Sequence, residues 1–426
     1  MNLISKRIRG MQDLLPPSSA IWEAVEEVFK SEASVYGFNL IRTPVLENTE
    51  LFERSAGDES DVVQKEMYTF DDKGGRSVSL RPEGTAGVVR AVLENGLHNG
   101  TLPLKLMYIT SCYRYEKPQA GRLREFFQFG AEIFGTESAL ADAELIMLGN
   151  SIFSRLKLQG ISLQINSIGC PECRKKYTDA IKKYFEIHKS DLCETCRERL
   201  YKNPMRIFDC KSPECQQICK DAPIILDYIC ADCKEHFENL KKYLSDAKIP
   251  FSVNPSIVRG LDYYSRTVFE FVYSDGETPI TVCGGGRYDG LAQDLSGTSL
   301  PALGFGIGIE RILMVMEKQK LNPAKNNFPA LFIACADSTA RSFSLELAQK
   351  LRQNSINTLV DISEKRVKHQ MKYADKIGAH YVLVVGSDEF ENRKAQIKDM
   401  RSGESKDISL DENFVSNFIN IVLQSS

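Results

Sequence analysis

The sequence predicts an α+β chain of two or three domains, and three observations carry that expectation. Residues 105–135 read as a long β-hairpin, two alternating strands around a Pro-, Gly- and Arg-containing turn. Nine of the twelve cysteines fall between Cys170 and Cys233, in a charged block that breaks the surrounding pattern and reads as an inserted subdomain. After residue 329, strands and helices alternate, which predicts a small α/β domain.

The elements follow in order. Residues 18–37 have the periodicity of an amphipathic helix, with Ser18 or Ser19 as N-cap and Gly37 as stop. Pro44 interrupts the chain, and a second helix starts near Thr49. RSVSLR (76–81) alternates as a strand, GTAGVVRAVLENG is helical, and residues 139–157 form the helix after the hairpin. Beyond the cysteine block, strands are expected at 251–258, 266–274 and 279–283, and PALGFGIGIERILMVMEKQ runs from strand into helix. LNPAKNNFP (321–329) reads as a linker. LFIACA, TLVDI and YVLVVG are strands separated by helices, with a final helix at the end.

Composition is that of a soluble globular protein, 42% apolar and 26% charged. A net charge of −3 leaves any nucleic-acid contact to local basic patches. No apolar run is long enough for a membrane helix and the N-terminus lacks a signal-like core, so a cytoplasmic enzyme is expected.

Four segments have the residue types of a site for a polar anionic ligand. RGLDYYSRTVFEF (259–271) opens with Arg259, whose planar fork suits phosphate or carboxylate, and adds the phenols Tyr263 and Tyr264. EFFQFGAEIF places Phe127, Phe129, Ala131 and Ile133 on one strand face, and Gln128, Gly130 and Glu132 on the other. A glycine weakens a strand unless something approaches it closely, so a ligand above Gly130 is expected, with a solvated face as the plain alternative. RPEGT offers Glu83 and Thr85 to an ammonium group, or equally to a helix cap. ALGFGIGIER spaces Gly304, Gly306 and Gly308 two apart, leaving one strand face bare for a flat ring, with Arg311 placed to cover it. No GxxxxGK phosphate loop is present, and the glycine spacing is not a dinucleotide fingerprint.

These segments, with RGMQDLLP, RTPVLENTELFERSAGD, YRYEKPQAGRLREFFQFGAEIFG and GGGRYDGL, resemble class II aminoacyl-tRNA synthetases, and within them the histidyl-tRNA synthetase family. The resemblance spans nearly the whole chain; RGLDYY and GGGRYDGL are its most specific pieces. It implies a catalytic domain over 1–322 with an antiparallel sheet flanked by helices, a cysteine-rich insertion at 165–245, and an α/β anticodon-binding domain over 328–426. It implies a cytoplasmic homodimer that uses ATP and Mg²⁺ to make histidyl-adenylate, then passes the histidyl group to the 3′ end of the histidine tRNA. Arg114 would hold the α-phosphate, Arg311 would stack on adenine, and Arg259 would be the catalytic cation. Glu83, Gly84 and Thr85 would receive the α-amino group, Gln128 the carboxylate, and Glu132 and Tyr264 the imidazole, with Tyr263 beside them. Gln119 at the hairpin tip would meet the extra 5′ guanosine of that tRNA. Lys365, Arg366, Lys368, Lys372 and Lys376 form a basic stripe in the C-terminal domain, or simply a solvated helix face.

The alternative is a non-catalytic paralogue that regulates ATP phosphoribosyltransferase, which shares the core but usually lacks the anticodon domain and several site residues. A cysteine-rich RNA- or metal-binding protein would leave the bare glycine strand unexplained. The family chemistry does not ask for the insert's three CxxC pairs (170/173, 193/196, 230/233) or for Cys210, Cys215 and Cys219. Their spacing admits structural Zn²⁺, in two sites that could share His188 or His236; otherwise the thiols stay free and reduced.

Overall fold

The computed structural model describes residues 5–57, 60, 62–208, 210–276, 278–324 and 328–424. The chain forms two compact units, Met1–Ala324 and Lys325–Ser426. None of the described helices is long and apolar enough to cross a membrane.

The strands of the first unit are β1 (Asn39–Leu40), β2 (Leu46–Asn48), β3 (Tyr68–Asp71), β4 (Ser77–Leu80), β5 (Leu104–Tyr113) and β6 (Glu125–Phe134). They continue with β7 (Ile161–Ser167), β8 (Phe251–Val253), β9 (Ser265–Tyr273), β10 (Ile280–Arg287) and β11 (Ala302–Gly308). Among the described residues, eight of them make one sheet in the order β1-β5-β6-β11-β10-β9-β7-β8, antiparallel except where β1 and β8 join its edges. β2, β4 and β3 form a small separate sheet.

The helices are α1 (Ser18–Val35), α2 (Thr49–Ala56), α3 (Thr85–Glu94), α4 (Ala139–Arg155), α5 (Pro171–Ile187), α6 (Glu194–Lys202), α7 (Pro213–Lys220), α8 (Ala231–Asp246), α9 (Leu291–Ser296) and α10 (Ile309–Lys318). α1 begins after Pro17, which makes no side-chain cap, so Ser18 and Ser19 lie inside the helix rather than capping it. Gly37 does end the α1 segment, at φ +79°.

Strand alternation decides which face is core. Phe129, Ala131 and Ile133 of β6, Phe269 and Phe271 of β9, and Phe305 and Ile307 of β11 project to one side. There they join Val25 and Phe29 of α1, Leu145 and Ile152 of α4, Leu240 and Leu244 of α8, and Ile312 and Val315 of α10. Each Val, Leu, Ile or Phe side chain among them that is removed from water contributes about 1.5–3 kcal/mol. On the opposite face, Leu106 of β5, Phe134 of β6 and Val268 of β9 bury against Val88, Val89 and Val92 of α3 in a second, smaller core, and the rest of that face carries polar residues and glycines.

A buried ion pair anchors the end of β10. Arg287 is fully buried, and its guanidinium donates to Asp142 on α4 at 2.7, 2.9 and 3.2 Å, to Asp289 at 3.1 Å, and to the carbonyls of Thr136 and Ser138 at 2.9 Å each. Burial by itself raises the Asp142 carboxyl, but Arg287 and then His236, 3.4 Å away, bring it below its ordinary value. Its folded value is depressed, so its stabilisation is present above the ordinary carboxylate range and is lost as pH falls through the folded value. Arg287→Met is expected to cost about 3–5 kcal/mol, because it strands a buried carboxylate. Urea unfolding at neutral pH checks this, and a loss under 1 kcal/mol contradicts it.

The expected elements omit β7, although residues 161–166 alternate strictly between apolar and polar, and residues 165–167 belong to this strand of the main sheet rather than to the insertion. β10 runs on through the glycines to Arg287 instead of stopping at 283.

The second unit has β12 (Leu331–Cys335), β13 (Thr358–Val360), β14 (Tyr381–Val385), β15 (Lys394–Asp399) and β16 (Ser405–Ser409) in the order β13-β12-β14-β15-β16. The first three pair in parallel and the last two antiparallel. α11 (Ala340–Gln353), α12 (Val367–Lys376), α13 (Ser387–Asn392) and α14 (Phe414–Gln424) accompany the sheet. The β15–β16 hairpin, between YVLVVG and the final helix, is an addition to the expected elements. Lys365, Arg366, Lys368, Lys372 and Lys376 are all exposed.

Candidate active site

The polar face of the large sheet is built on one register row. Glu270 of β9 stands beside Gly284 of β10, Gly284 beside Gly306 of β11, Gly306 beside Gly130 of β6, and Gly130 beside Tyr108 of β5. Three adjacent strands therefore present a row without side chains. Two of the three vacancies are filled from within. A Cβ on Gly284 would collide with the Arg259 guanidinium, and a Cβ on Gly130 would collide with the Tyr108 ring. At Gly306 the nearest atom to such a Cβ is Gln128 Nε2, at 3.6 Å, so the middle of the row stays open.

This corrects the expectation of a ligand directly above Gly130, because the Tyr108 ring occupies that place. The ring also lies where a Cβ on Gly84 would stand. Gly304 is likewise not open floor, since a Cβ there would overlap the Glu132 carboxylate. The bare ring-binding surface expected across Gly304, Gly306 and Gly308 is reduced to the last two, flanked by Gln128 and Arg311.

Arg114, Gln128, Arg259 and Arg311 line one cavity of about 310 Å³, together with Glu116, Arg122, Glu270, Thr281, Gly284, Gly306, Gly308 and Glu310. Arg259 pairs with Glu270, which also accepts from Thr281 Oγ1 at 3.0 Å. The Arg259 Nε is buried without a protein partner. Arg311 donates to the carbonyls of Thr281 at 2.6 Å and of Gly121 at 3.2 Å, which ties the start of α10 to the hairpin tip. Burial, then the charges of Arg122 and Arg114, lower the Arg311 pKa from its ordinary value. Arg114 donates to the Pro82 carbonyl at 2.9 Å and lies over the Phe126 ring. Arg259 and Arg122 are paired with Glu270 and Glu116, which leaves Arg114 and Arg311 as the cavity's cations without a carboxylate partner among the described residues, and these favour an anion.

Beside it lies a buried acid–phenol network. Glu132 is fully buried, and its carboxylate accepts from Thr85 Oγ1 at 2.8 Å, Tyr108 at 3.0 Å and Tyr288 at 2.5 Å. Burial pushes its pKa up to about 8, ahead of the Tyr288 and Thr85 hydrogen bonds that lower it and the Glu83 charge that raises it. Glu83 is buried and accepts from the backbone N–H of Thr85 at 2.6 Å and of Ala86 at 2.7 Å, so the cap alternative is realised at the start of α3. The Tyr263 ring lies tilted 4.7 Å from Tyr264 and edge-on 5.5 Å from Tyr288, and Arg259 lies over the Tyr264 ring. An unbroken chain of contacts therefore links Arg259 to Glu132 through Tyr264, Tyr263 and Tyr288. Gln119 stands apart, exposed at the hairpin tip, where its backbone pairs with Arg122.

Tyr108 and Tyr288 went unnoticed in the sequence. Tyr288 lies inside the GGGRYDGL segment, and Tyr108 sits on the even face of LKLMYITSC, opposite Gly130. Only register, which sequence does not print, brings either phenol to Glu132.

The comparisons with known proteins agree with this geometry. The family model for histidyl-tRNA synthetase matches residues 10–172 and 221–312, and the anticodon binding domain model matches 330–418. The histidine–tRNA ligase of Caldanaerobacter subterraneus is 47% identical over 96% of this chain and 98% of its own length. That of Clostridium novyi is 49% identical over 94% of this chain and 96% of its own. The solved structure of apo histidyl-tRNA synthetase from S. aureus superposes with a TM-score of 0.83 at 37% identity, over 97% of this chain and all of that one. The row of glycines under a guanidinium cluster, the acid–phenol network beside it and these matches along both units place the chain in the histidyl-tRNA synthetase family of class II aminoacyl-tRNA synthetases.

Proposed function

We propose that the chain is a histidine–tRNA ligase that works by direct in-line chemistry on ATP. The histidine carboxylate attacks the α-phosphorus, the bond to pyrophosphate breaks, and histidyl-adenylate forms. A ribose hydroxyl at the 3′ end of the histidine tRNA then attacks the histidyl carbonyl and AMP leaves. Neither step needs a side-chain nucleophile; both need orientation and charge stabilisation.

The residues take the following parts. Arg259 and Arg114 hold the α-phosphate, and Arg311 covers adenine lying on Gly306 and Gly308. Gln128 receives the histidine carboxylate. Glu83, Gly84 and Thr85 form the α-amino subsite, and Glu132 with Tyr264 and Tyr263 reads the imidazole. A site that hydrogen-bonds both ring nitrogens rejects an apolar analogue, which would leave buried groups unpaired. Glu116 and Glu310 are the carboxylates of this cavity that would hold Mg²⁺; Glu116 now pairs with Arg122 at 3.4 Å and Glu310 accepts from the Phe127 N–H at 2.9 Å, while Glu270 is engaged by Arg259. Bound there, it would neutralise the phosphate charge.

Gln119 reaches the 5′ end of the tRNA, and the second unit binds the anticodon. The enzyme acts as a homodimer in the cytoplasm, where its tRNA is found. The insert's cysteines supply no group to this chemistry, so Zn²⁺ in the insert serves the fold. The observation that carries the reading is the glycine row, filled by Arg259 at one end and Tyr108 at the other and open at Gly306.

The test is exchange of labelled pyrophosphate into ATP. Exchange that depends on L-histidine and on no other amino acid is expected. Folded protein with no histidine-dependent exchange would overturn the reading and favour a regulatory paralogue.

A further inference from the structure

The insert's thiols are gathered by the fold into two sets. Cys170, Cys173, Cys230 and Cys233 form one, Cys193, Cys196, Cys210 and Cys215 the other, and within each set all four Sγ atoms lie within 4.8 Å of one another. We propose that each set binds one Zn²⁺ as a closed, four-thiolate structural centre, two ions per chain. The inference stands on the insert alone and is independent of the catalytic reading.

Geometry comes first. Zn–S bonds of about 2.3 Å in a tetrahedron place sulfur atoms about 3.8 Å apart. Cys193 and Cys210 are 3.8 Å apart and Cys170 and Cys173 are 3.5 Å apart. A disulfide needs about 2.05 Å, and all twelve cysteines are free thiols. The separations are those of sulfurs around a shared ion.

The local backbone is built for thiolates. Each CxxC pair opens a helix: Cys170, Cys193 and Cys230 are the N-caps of α5, α6 and α8, with the second cysteine in the first turn. Helix N-termini favour negative charge. Backbone N–H groups also point at sulfur, from Cys230 to Cys173 at 3.1 Å, from Cys193 to Cys215 at 3.3 Å and from Ser212 to Cys210 at 3.4 Å. Four thiolates on one Zn²⁺ carry two surplus negative charges, which such donors offset.

The partition is not the one sequence allowed for. Neither histidine joins a set: His236 lies against Asp142, and His188 packs on Tyr184. Cys219 is left out, its thiol directed to the Ile207 carbonyl at 3.7 Å. Each set draws on two separate stretches of chain. The first joins the start of α5 to the start of α8, the two ends of the insert. The second closes the inner loop between α6 and α7, within the stretch of 173–220 that the family model does not match. A subdomain this small is the kind that metal centres stabilise.

The centres also bear on the catalytic loop. Arg174, next to Cys173, donates to the Asp262 carbonyl at 3.3 Å. Between the second set's two halves, Asn203 donates to the Asp262 carboxylate at 3.3 Å, and Arg206 donates to it at 3.2 Å and to the Gly260 carbonyl at 2.7 Å. Insert side chains thus hold the loop between Arg259 and Tyr263.

The experiment is elemental analysis of full-length protein, purified from zinc-replete medium and dialysed against metal-free buffer. Two zinc ions per chain are expected, both released when a mercurial titrates the thiols. Cys193→Ser with Cys210→Ser should retain one, and so should Cys170→Ser with Cys233→Ser. Co²⁺ replacement of the wild-type protein should give the intense visible bands of tetrahedral cobalt thiolate, a readout that survives if the variants fail to fold. Zinc below half an equivalent, a single ion, or iron in its place would overturn the proposal. Metal-free protein that still exchanges pyrophosphate would remove the zinc centres and leave the catalytic reading intact.

Discussion

Arg259→Met is expected to lower histidine-dependent pyrophosphate exchange by about 10²–10³-fold, equivalent to about 2.7–4 kcal/mol of transition-state stabilisation. The size follows from where the guanidinium sits. It is laid on the strand at Gly284 and fixed by Glu270, which Thr281 holds in turn. Its Nε is buried and lacks a protein partner, a donor left over for a ligand oxygen. Such a cation costs no reorganisation when charge builds on the α-phosphate, and no flexible substitute reproduces it. Arg259→Lys keeps the charge but loses the planar fork, so it should recover only part of the rate. Removing the guanidinium also leaves Glu270 without its partner, which lowers stability for a reason unrelated to chemistry. The double variant Arg259→Met with Glu270→Gln removes that complication and should be as inactive as the single one. Exchange rates read beside thermal midpoints separate the two effects. A folded Arg259→Met protein within about threefold of the wild-type rate, against the expected 10²–10³, would exclude Arg259 from the reaction.

The second large effect is a divergence between stability and activity at Glu132. Burial raises its carboxyl to about 8, so the ligand-free fold holds a proton that the unfolded chain has lost. Between the ordinary glutamate value and about 8, the native state binds more protons than the unfolded state. Stability therefore falls as pH rises through that window, by up to about 1.4 kcal/mol per pH unit from this group. Glu132→Gln removes the titration. The variant should flatten the slope and unfold at higher urea than the wild type at pH 8. Its kcat/KM for histidine should nevertheless fall by about 10²–10³-fold, as expected when a buried charged partner is taken from a bound ligand. Urea unfolding at pH 6 and pH 8, with exchange kinetics over a range of histidine concentrations, reads both. An unchanged pH slope would contradict the buried-acid account, and an unchanged kcat/KM would contradict the histidine-reading role.

Much of this was legible before any coordinates. Side chains alternate along a strand, so Phe129, Ala131 and Ile133 had to be core if Gln128 and Glu132 faced a site. The glycines of β11 could be placed on one face by counting. Arg114, Gln128, Arg259 and Arg311 were proposed as neighbours from a family pattern across 198 residues of chain, and they line one cavity. Illegible features all depend on which strand lies beside which. Gly130 was read as room for a ligand and is room for Tyr108, because β5 lies against β6 with those two residues opposed. Gly304 was read as floor and makes room for Glu132, its register partner. β7 was legible in principle, because residues 161–166 alternate strictly, whereas the β15–β16 hairpin offers only Ala395, Ile397 and Ile408 as apolar residues and carries a weak period-two signal. The cysteine spacing gave three pairs, but spacing alone does not say which pairs converge.

By itself, then, the amino-acid order determined the element types apart from β7 and the β15–β16 hairpin, the split between core and polar faces, the family, and the residue types offered to phosphate and imidazole, because these depend on local periodicity and on motifs contiguous in the chain. The tertiary structure alone decided what fills each missing side chain, which phenols reach Glu132, that Arg287 buries against Asp142, and that eight insert cysteines divide into two sets of four. Those outcomes come from strand register and helix packing between residues far apart in sequence, where a shift of one position would exchange every partner.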